Sequence, residues 1–354
     1  MTTFDHHPKI LVTGATGKTG GAVVAQLLEK GFPVRAIVRS RDARSQRLDR
    51  LGAETVVADL FDVDQMLAAM RGTVRAYYCP PFHPYMIQSA AVFVAAARES
   101  KLEAIVGLSQ WTASANHPSL QTRQLWLVEQ MLSALPDITY VNLNPGYFVD
   151  NYLRLIDFAS LLGIFPILTG DGRDAPPSNE DIARVAVALL MDPDRYAGKR
   201  FRPTGSKLMS AYEMAGIIRK VLGSPVFAFN LPWWMFERAA RIQGVPAFEV
   251  GSLRYYVEDH KQGAFEFGAP NHVVEELTGQ PPEDFETIVR RYAALPFARK
   301  TFANQLRAFV QFNLVPFTPG YNLNGFEREH FVPMLPAPQF VMGSDRWRAE
   351  HSLQ

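Results

Sequence analysis

Residues 12–21 read Val12-Thr13-Gly14-Ala15-Thr16-Gly17-Lys18-Thr19-Gly20-Gly21. The run Lys9–Val12 before them predicts a buried strand. The stretch Gly20–Lys30 after them predicts a helix, with Val23, Val24, Leu27 and Leu28 on its apolar stripe. A glycine-rich turn between a strand and a helix is the context that a dinucleotide fingerprint requires. The glycines permit a tight turn, close approach of a pyrophosphate and close packing of helix on strand. The helix N-terminus then offers free N–H groups and the positive end of its dipole to the anion. Gly17-Lys18-Thr19 imitates the end of a Walker A loop, but that motif needs a glycine where this chain has Val12. A glycine-rich turn that binds nothing is the bland alternative.

Working outward, Val34–Val38, Glu54–Ala58, Arg75–Tyr78, Ala104–Leu108 and Ile138–Leu143 read as further strands. Val63–Met70, Met86–Ser100 and Thr122–Leu135 read as helices between them. Near-continuous apolar strands alternating with helices predict a parallel sheet covered on both faces. The expected fold is a doubly wound α/β Rossmann fold, with ligands bound outside the carboxyl ends of the strands. Residues 1–150 form the expected dinucleotide-binding core. Residues 151–296 form a smaller, mostly helical substrate lobe interleaved with it, with helices over Asp181–Met191, Ala211–Leu222 and Asp284–Ala294. Residues 297–354 form an irregular C-terminal extension.

Composition narrows the partners. Of 354 residues, 47% are hydrophobic, which suits a large core rather than a disordered chain. Lys and Arg number 36 against 35 Asp and Glu, so no large field favours nucleic acid. The lone Cys79 excludes a disulfide framework and a thiolate-rich zinc site. The eight histidines, His6 and His7 among them, form no HExxH or HxxxH pair, so no metal is expected. The N-terminus lacks an apolar h-region, and Ala76–Ala97 is interrupted by Pro80, Pro81 and Pro84, so neither a leader nor a membrane span is expected. A cytoplasmic location follows as an expectation.

The second strand ends in Val38-Arg39-Ser40-Arg41. An acidic residue near this point serves the ribose 2′-OH of NAD, whereas an arginine accommodates the 2′-phosphate of NADP. Arg39 therefore points to NADP(H) over NAD, through charge-assisted guanidinium–phosphate pairing. A solvated basic edge of Arg39, Arg41 and Arg44 is the competing reading. After the third strand, Asp59 could accept from an adenine amino group and Leu60 could flank the base; Asp59 as a helix N-cap is equally compatible.

The motifs TGATGKTGG, VRSR, ADL and NPGYFVDN, each following its strand, resemble the NmrA-like group of atypical short-chain dehydrogenase/reductases over roughly residues 8–295. The resemblance implies an NAD(P)-binding protein. It assigns Gly14, Thr16, Gly17, Lys18, Thr19 and Gly20 to the diphosphate loop, Arg39 to the 2′-phosphate, and Asp59 and Leu60 to adenine. Cys79, Pro80 and Pro81 would lie along the cofactor ribose, and Ser109 and Gln110 would end the fifth strand. Asn144, Pro145, Gly146 and Tyr147 would line the nicotinamide and substrate. The group includes NADPH-dependent reductases of quinones, activated alkenes, imines or triphenylmethane dyes, together with catalytically silent redox sensors.

The Tyr-x-x-x-Lys pair of carbonyl-reducing short-chain dehydrogenases is absent: Tyr140, Tyr147, Tyr152 and Tyr196 have no lysine four positions later. Tyr147, Arg123 and His117 are the remaining catalytic candidates. Set against them, His117 could cap a helix with Pro118, and Arg123 could pair with Glu129 or another carboxylate. Trp111, Tyr147, Tyr152, Trp233 and Trp234 could line a flat apolar pocket, although aromatics at such density also build cores. Cys79, with no neighbouring base, reads as a packed small residue. The expected function is an NADP(H)-dependent reductase of a small aromatic or conjugated acceptor. The alternative is an NADP(H)-sensing regulator acting through a protein partner.

The extension carries a helical stripe over Thr301–Phe312, then Pro316, Pro319, Pro333, Pro336 and Pro338 among Phe317, Tyr321, Phe326, Phe331, Phe340 and Trp347. So many aromatics predict an ordered strap on the domain or on a second subunit, which would make a homo-oligomer. Membrane-surface attachment is the lesser alternative, because Lys and Arg are not concentrated on one face of its helix.

Overall fold

Ile10–Val12 (β1) is wholly buried because helices cover both faces of the sheet it centres. The chain continues through Lys18–Glu29 (α1), Val34–Val38 (β2), Ala43–Leu51 (α2), Glu54–Val57 (β3) and Val63–Met70 (α3). It then forms Arg75–Tyr78 (β4), Met86–Glu99 (α4), Ala104–Leu108 (β5), Leu120–Ser133 (α5) and Thr139–Leu143 (β6). The computed structural model describes residues 7–329 and 335–352. His6, Phe331 and Pro333, named above, lie outside the described residues.

The strands run β3-β2-β1-β4-β5-β6, with the two-residue strand Arg200–Phe201 at the far edge, and every neighbouring pair is parallel. Strand order reverses between β1 and β4. That switch point opens the crevice in which this architecture binds ligands. On one face Val23, Val24 and Leu27 of α1 pack against Ile182, Val185 and Leu189 of the helix Asn179–Met191. On the other, Met66, Phe93 and Leu125 from α3, α4 and α5 close over Leu11 and Ile105. Each fully buried side chain of this kind contributes about 1.5–3 kcal/mol. The doubly wound fold is thus borne out, with a helical C-terminal part.

Helix α2 has no counterpart in the sequence reading. Its stretch ARSQRLDRL buries only Ser45 and Leu48, so it shows no apolar stripe. It is fixed instead by its ends. Asp42 accepts the N–H groups of Arg44 and Ser45, the Ser45 hydroxyl accepts the Asp42 N–H, and Gly52 terminates the helix at φ +99°. The short pair Ile164–Ile167 and Phe227–Asn230 was likewise not predicted.

The lobe packs Tyr152, Ile156, Phe165, Ile218, Phe265 and Ile288 into a second core. The C-terminal residues join it. Val341, Trp347 and His351 are buried, the Trp347 indole donates to the Trp111 carbonyl at 3.2 Å, and Arg202 donates to the Glu350 carbonyl at 2.9 Å. The Gln339 N–H donates to the Asn116 carbonyl at 2.9 Å. Residues 335–352 therefore lie against the far edge of the sheet and the end of β5.

Candidate functional site

Three glycines shape the loop after β1. Gly14 adopts φ +63°, and a Cβ on it would stand 3.1 Å from the Cys79 Cβ. A Cβ on Gly20 would stand 2.3 Å from the Gly14 carbonyl oxygen, so α1 can approach the loop only as glycine. Gly17 is the N-cap of α1 and supplies no side-chain hydrogen bond, which leaves the first turn's donors to an incoming acceptor. Thr13 ties the loop to the end of β4: its hydroxyl accepts the Cys79 N–H at 2.7 Å and donates to the Cys79 carbonyl at 3.2 Å. Burial pushes the Cys79 thiol up to about 11, so it is a packing residue and no nucleophile.

The side chains of α1's first turn are already engaged. The Lys18 ammonium pairs with Asp150 and lies 5.6 Å from the centre of the Tyr292 ring. The Tyr292 hydroxyl donates to the same Asp150 carboxylate at 2.8 Å. The Thr19 hydroxyl donates to Asn179 Oδ1 at 2.8 Å. Of the assigned loop residues, only Lys18 and Thr19 have their side chains engaged in this way.

The three arginines after β2 separate. Arg41 binds Asp49 at 3.0 Å and the Thr55 carbonyl at 2.8 Å, and Arg44 pairs with Asp42 at 2.7 Å. Arg39 is exposed and makes no ion pair among the described residues. Beyond β3, Asp62 and not Asp59 caps α3, accepting the Gln65 N–H at 3.0 Å. Asp59 is exposed beside half-buried Leu60 and accepts the Phe61 N–H at 3.0 Å. The N-cap reading of Asp59 is corrected.

At the ends of β5 and β6 the polar side chains converge on buried Glu129. Its carboxylate accepts from the Ser109 hydroxyl, from Asn144 Nδ2 at 2.7 Å and from Arg200 at 2.7 Å. Gln110 donates to Thr122 at 2.7 Å, and Asn144 also donates to the Gln110 carbonyl at 2.9 Å. The wholly buried Asn144 Oδ1 accepts from no group among the described residues. Pro145 and Gly146 run beside Trp111 and Pro203, whose backbone they bond at 3.2 and 3.3 Å.

Several candidates are engaged in packing and internal contacts. His117 is wholly buried, with Nε2 2.9 Å from Asp259 Oδ2, Nδ1 accepting the Ser119 N–H at 3.0 Å, and Phe340 covering its ring at 5.4 Å. Ser119, not His117, caps α5. Arg123 is buried and donates to the His117 carbonyl at 3.3 Å; Glu129 pairs with Arg200 rather than with it. Both side chains are buried, His117 wholly so. Trp111 is core: its indole donates to the Ala264 carbonyl at 2.7 Å, and His351 covers it. Trp233 belongs to a separate cluster with Phe236 and Tyr321, and Trp234 is half exposed.

Tyr147 and Tyr152 do meet. Their rings are 5.1 Å apart, and Tyr147 also touches Tyr256, His260 and Phe265. Tyr152 Oη lies 2.8 Å from His260 Nε2. Burial pushes both phenols above their ordinary range, raises the Asp174 carboxyl nearby and pulls His260 down to about 4. Near neutral pH the phenols and the His260 imidazole are thereby held neutral, and burial disfavours the charged form of Asp174. Asp150, Asn179, Tyr292, Asp174, Asp259 and His260 were missed because each lies far along the chain from the motif it serves.

An apolar groove of about 70 Å³ lies between Leu155, Phe158, Met235, Phe236 and the tail's Phe312 and Val315. A larger polar hollow of about 540 Å³ beside Glu129 and Tyr140 shares no residue with the glycine loop. Among the described residues no three metal-ligating side chains converge, and no helix is long and apolar enough to cross a membrane.

The family model described as NmrA-like family matches residues 6–251. An NAD(P)H azoreductase of Xenophilus azovorans is 25% identical over 292 residues, covering 80% of this chain and 98% of that relative. Quinone oxidoreductase 2 of Escherichia coli is 26% identical over 248 residues, 67% of this chain and 82% of its own. Among solved structures, the triphenylmethane reductase of Citrobacter sp. complexed with NADP(H) superposes with TM-score 0.68 at 21% identity, covering 80% of this chain and 99% of that one.

Proposed function

The chain belongs to the NmrA-like family and is an NAD(P)H-dependent oxidoreductase; from that premise we propose that it prefers NADPH and reduces a flat, conjugated acceptor of the quinone, enone, imine or dye type. The observation that carries the reading is the uncapped first turn of α1 behind Gly14 and Gly17, together with an Arg39 whose arginine neighbours are both occupied. Gly14, Thr16, Gly17 and the backbone of Lys18–Gly20 would hold the diphosphate, and Arg39 the 2′-phosphate. Asp59 and Leu60 would flank adenine, and Cys79, Pro80 and Pro81 the ribose. Asn144 offers an unpaired buried acceptor that suits an amide donor at the nicotinamide end. Bound NADPH supplies the hydride.

The chain's own residues position and shield. The buried Tyr147–Tyr152–Tyr256 wall would shield the acceptor on one side, and burial makes each phenol a weaker acid than an ordinary tyrosine. With His117 and Arg123 buried and no Tyr-x-x-x-Lys pair, solvent supplies any proton the acceptor needs. The azoreductase and quinone oxidoreductase names of two relatives support an acceptor of this kind. NADPH consumption with a panel of quinones, enones, azo compounds and triphenylmethane dyes tests it. Turnover of at least one is expected; a folded chain that binds NADPH and is inert to the whole panel would instead be a sensing regulator.

A further inference from the structure

The helix Phe302–Leu314 buries only Ala308. Its outer side carries Phe302, Leu306, Phe309, Val310 and Leu314 at helical spacing, and Phe317 continues the line. Phe302 is 81% exposed and Phe317 is 85% exposed, values that no isolated water-facing helix needs. Trp234, half exposed, joins the patch where Arg238 donates to the Pro316 carbonyl at 2.8 Å and stands 5.0 Å from the Trp234 ring centre.

Charge decides what covers it. From Thr287 to Phe326 the chain has no Asp or Glu. Arg299 and Lys300 sit at the start of the helix, bonded to the Ala294 carbonyl and to Ser224. Arg238 and Arg241 sit at its end, bonded to the carbonyls of Pro316 and Gly320. None of the four makes an ion pair among the described residues, and Glu237 beside them turns to the Tyr321 N–H. Arg307 is the exception that faces inward, toward Asp157 at 3.4 Å. The cations therefore bracket the apolar stripe at both ends instead of lining the helix's polar face, which is why residue spacing alone hid them.

We propose that this face is a docking surface for an anionic lipid bilayer. Aromatic and aliphatic side chains enter the headgroup–acyl boundary, and the bracketing arginines and lysine reach lipid phosphates. A second copy fits worse. An antiparallel pairing of two such helices would set Arg299 and Lys300 against Arg238 and Arg241, and a parallel one would set each cation against itself. The inner side of the same helix supplies Phe312 and the turn after it Val315 to the apolar groove, so the docked face and the groove share one wall.

Co-sedimentation of the full chain with phosphatidylcholine vesicles, with and without phosphatidylserine, tests this independently of turnover. Binding to phosphatidylserine vesicles is expected, weaker to phosphatidylcholine alone and weakened by salt, with a blue shift of tryptophan fluorescence. The triple variant Phe302→Ser, Phe309→Ser, Phe317→Ser should partition at least about tenfold less. Arg299→Gln with Lys300→Gln should lose phosphatidylserine preference by roughly fivefold per cation. NADPH titration should be unchanged in both, since all five side chains are exposed and none touches the glycine loop. No sedimentation above the vesicle-free control would overturn the proposal. So would a dimer in light scattering that the triple variant dissociates.

Discussion

Lys18, at the start of α1, is held by Asp150, which follows β6 and also accepts the Tyr292 hydroxyl. The first helix of the core is thus joined through one carboxylate to the helix Phe285–Ala293 of the lobe. The two contacts differ in worth. Lys18 is mostly exposed, so its pair contributes about 0–1 kcal/mol. The Tyr292 bond is part-buried and to a charged acceptor, worth about 1.5–3 kcal/mol. Denaturant unfolding of Lys18→Met, Tyr292→Phe and Asp150→Ala should rank their costs in that order, the last removing both contacts. A Lys18→Met loss above that of Tyr292→Phe would contradict the ranking.

Arg39 should read the 2′-phosphate. Arg39→Ala is expected to weaken NADPH by about 1–3 kcal/mol and leave NADH nearly unchanged, while Arg41→Ala should cost stability instead because it unties Thr55. Calorimetric titration of both cofactors checks it. Equal losses for NADPH and NADH would remove the assignment.

Gly17 and Gly20 should fail differently. A Cβ at Gly20 collides with backbone at 2.3 Å, so Gly20→Ala should destabilise the fold itself. A Cβ at Gly17 meets the Gly14 carbonyl at 3.1 Å, a contact that a small shift relieves. Gly17→Val should therefore keep most of its melting temperature and lose dinucleotide binding, since its side chain occupies the diphosphate's space. Thermal melts beside NADPH titration separate the two.

The core was legible because its periodicity is local. β2, β4 and β5 fall at the ends read from their apolar runs, and the glycine spacing located the loop. What was hidden depends on partners far along the chain. Nothing near His117 in the sequence announces residue 259, whose carboxylate lies 2.9 Å from its Nε2. Nor does the Trp233-Trp234 pair announce that Trp233 clusters with the tail's Tyr321 while Trp234 is half exposed. Helix α2 escaped because capping, which sequence periodicity ignores, holds it in place.

His117→Ala should consequently damage the fold rather than turnover. It leaves the Asp259 carboxylate buried without its partner, and truncating one side of a buried pair costs about 3–5 kcal/mol. The specific activity of the fraction that remains folded should stay near the parent's. A folded His117→Ala protein with activity lost a hundredfold or more would restore His117 as a catalytic residue.

His260 gives the fold an acid limit. Burial holds its imidazole neutral down to about 4, against an ordinary value of about 6.5 in the unfolded chain. Between those two values the unfolded chain binds a proton that the folded one refuses, so stability rises with pH across the window and is lost as pH falls through it. The span corresponds to about 3 kcal/mol at 1.36 kcal/mol per pH unit. His351, buried against Trp347 and also pulled down by burial, acts in the same direction. Asp174 opposes them: burial raises its carboxyl, so its ionisation costs stability as pH rises above the ordinary Asp value. His260→Gln keeps a donor toward the Tyr152 hydroxyl and has no proton to refuse. Urea unfolding from pH 7 to pH 4 should therefore show a steeper loss in the parent than in His260→Gln, the curves diverging by about 3 kcal/mol at the acid end. Parallel curves would mean that His260 titrates alike in both states and that the Tyr152 contact does not depend on its neutral form.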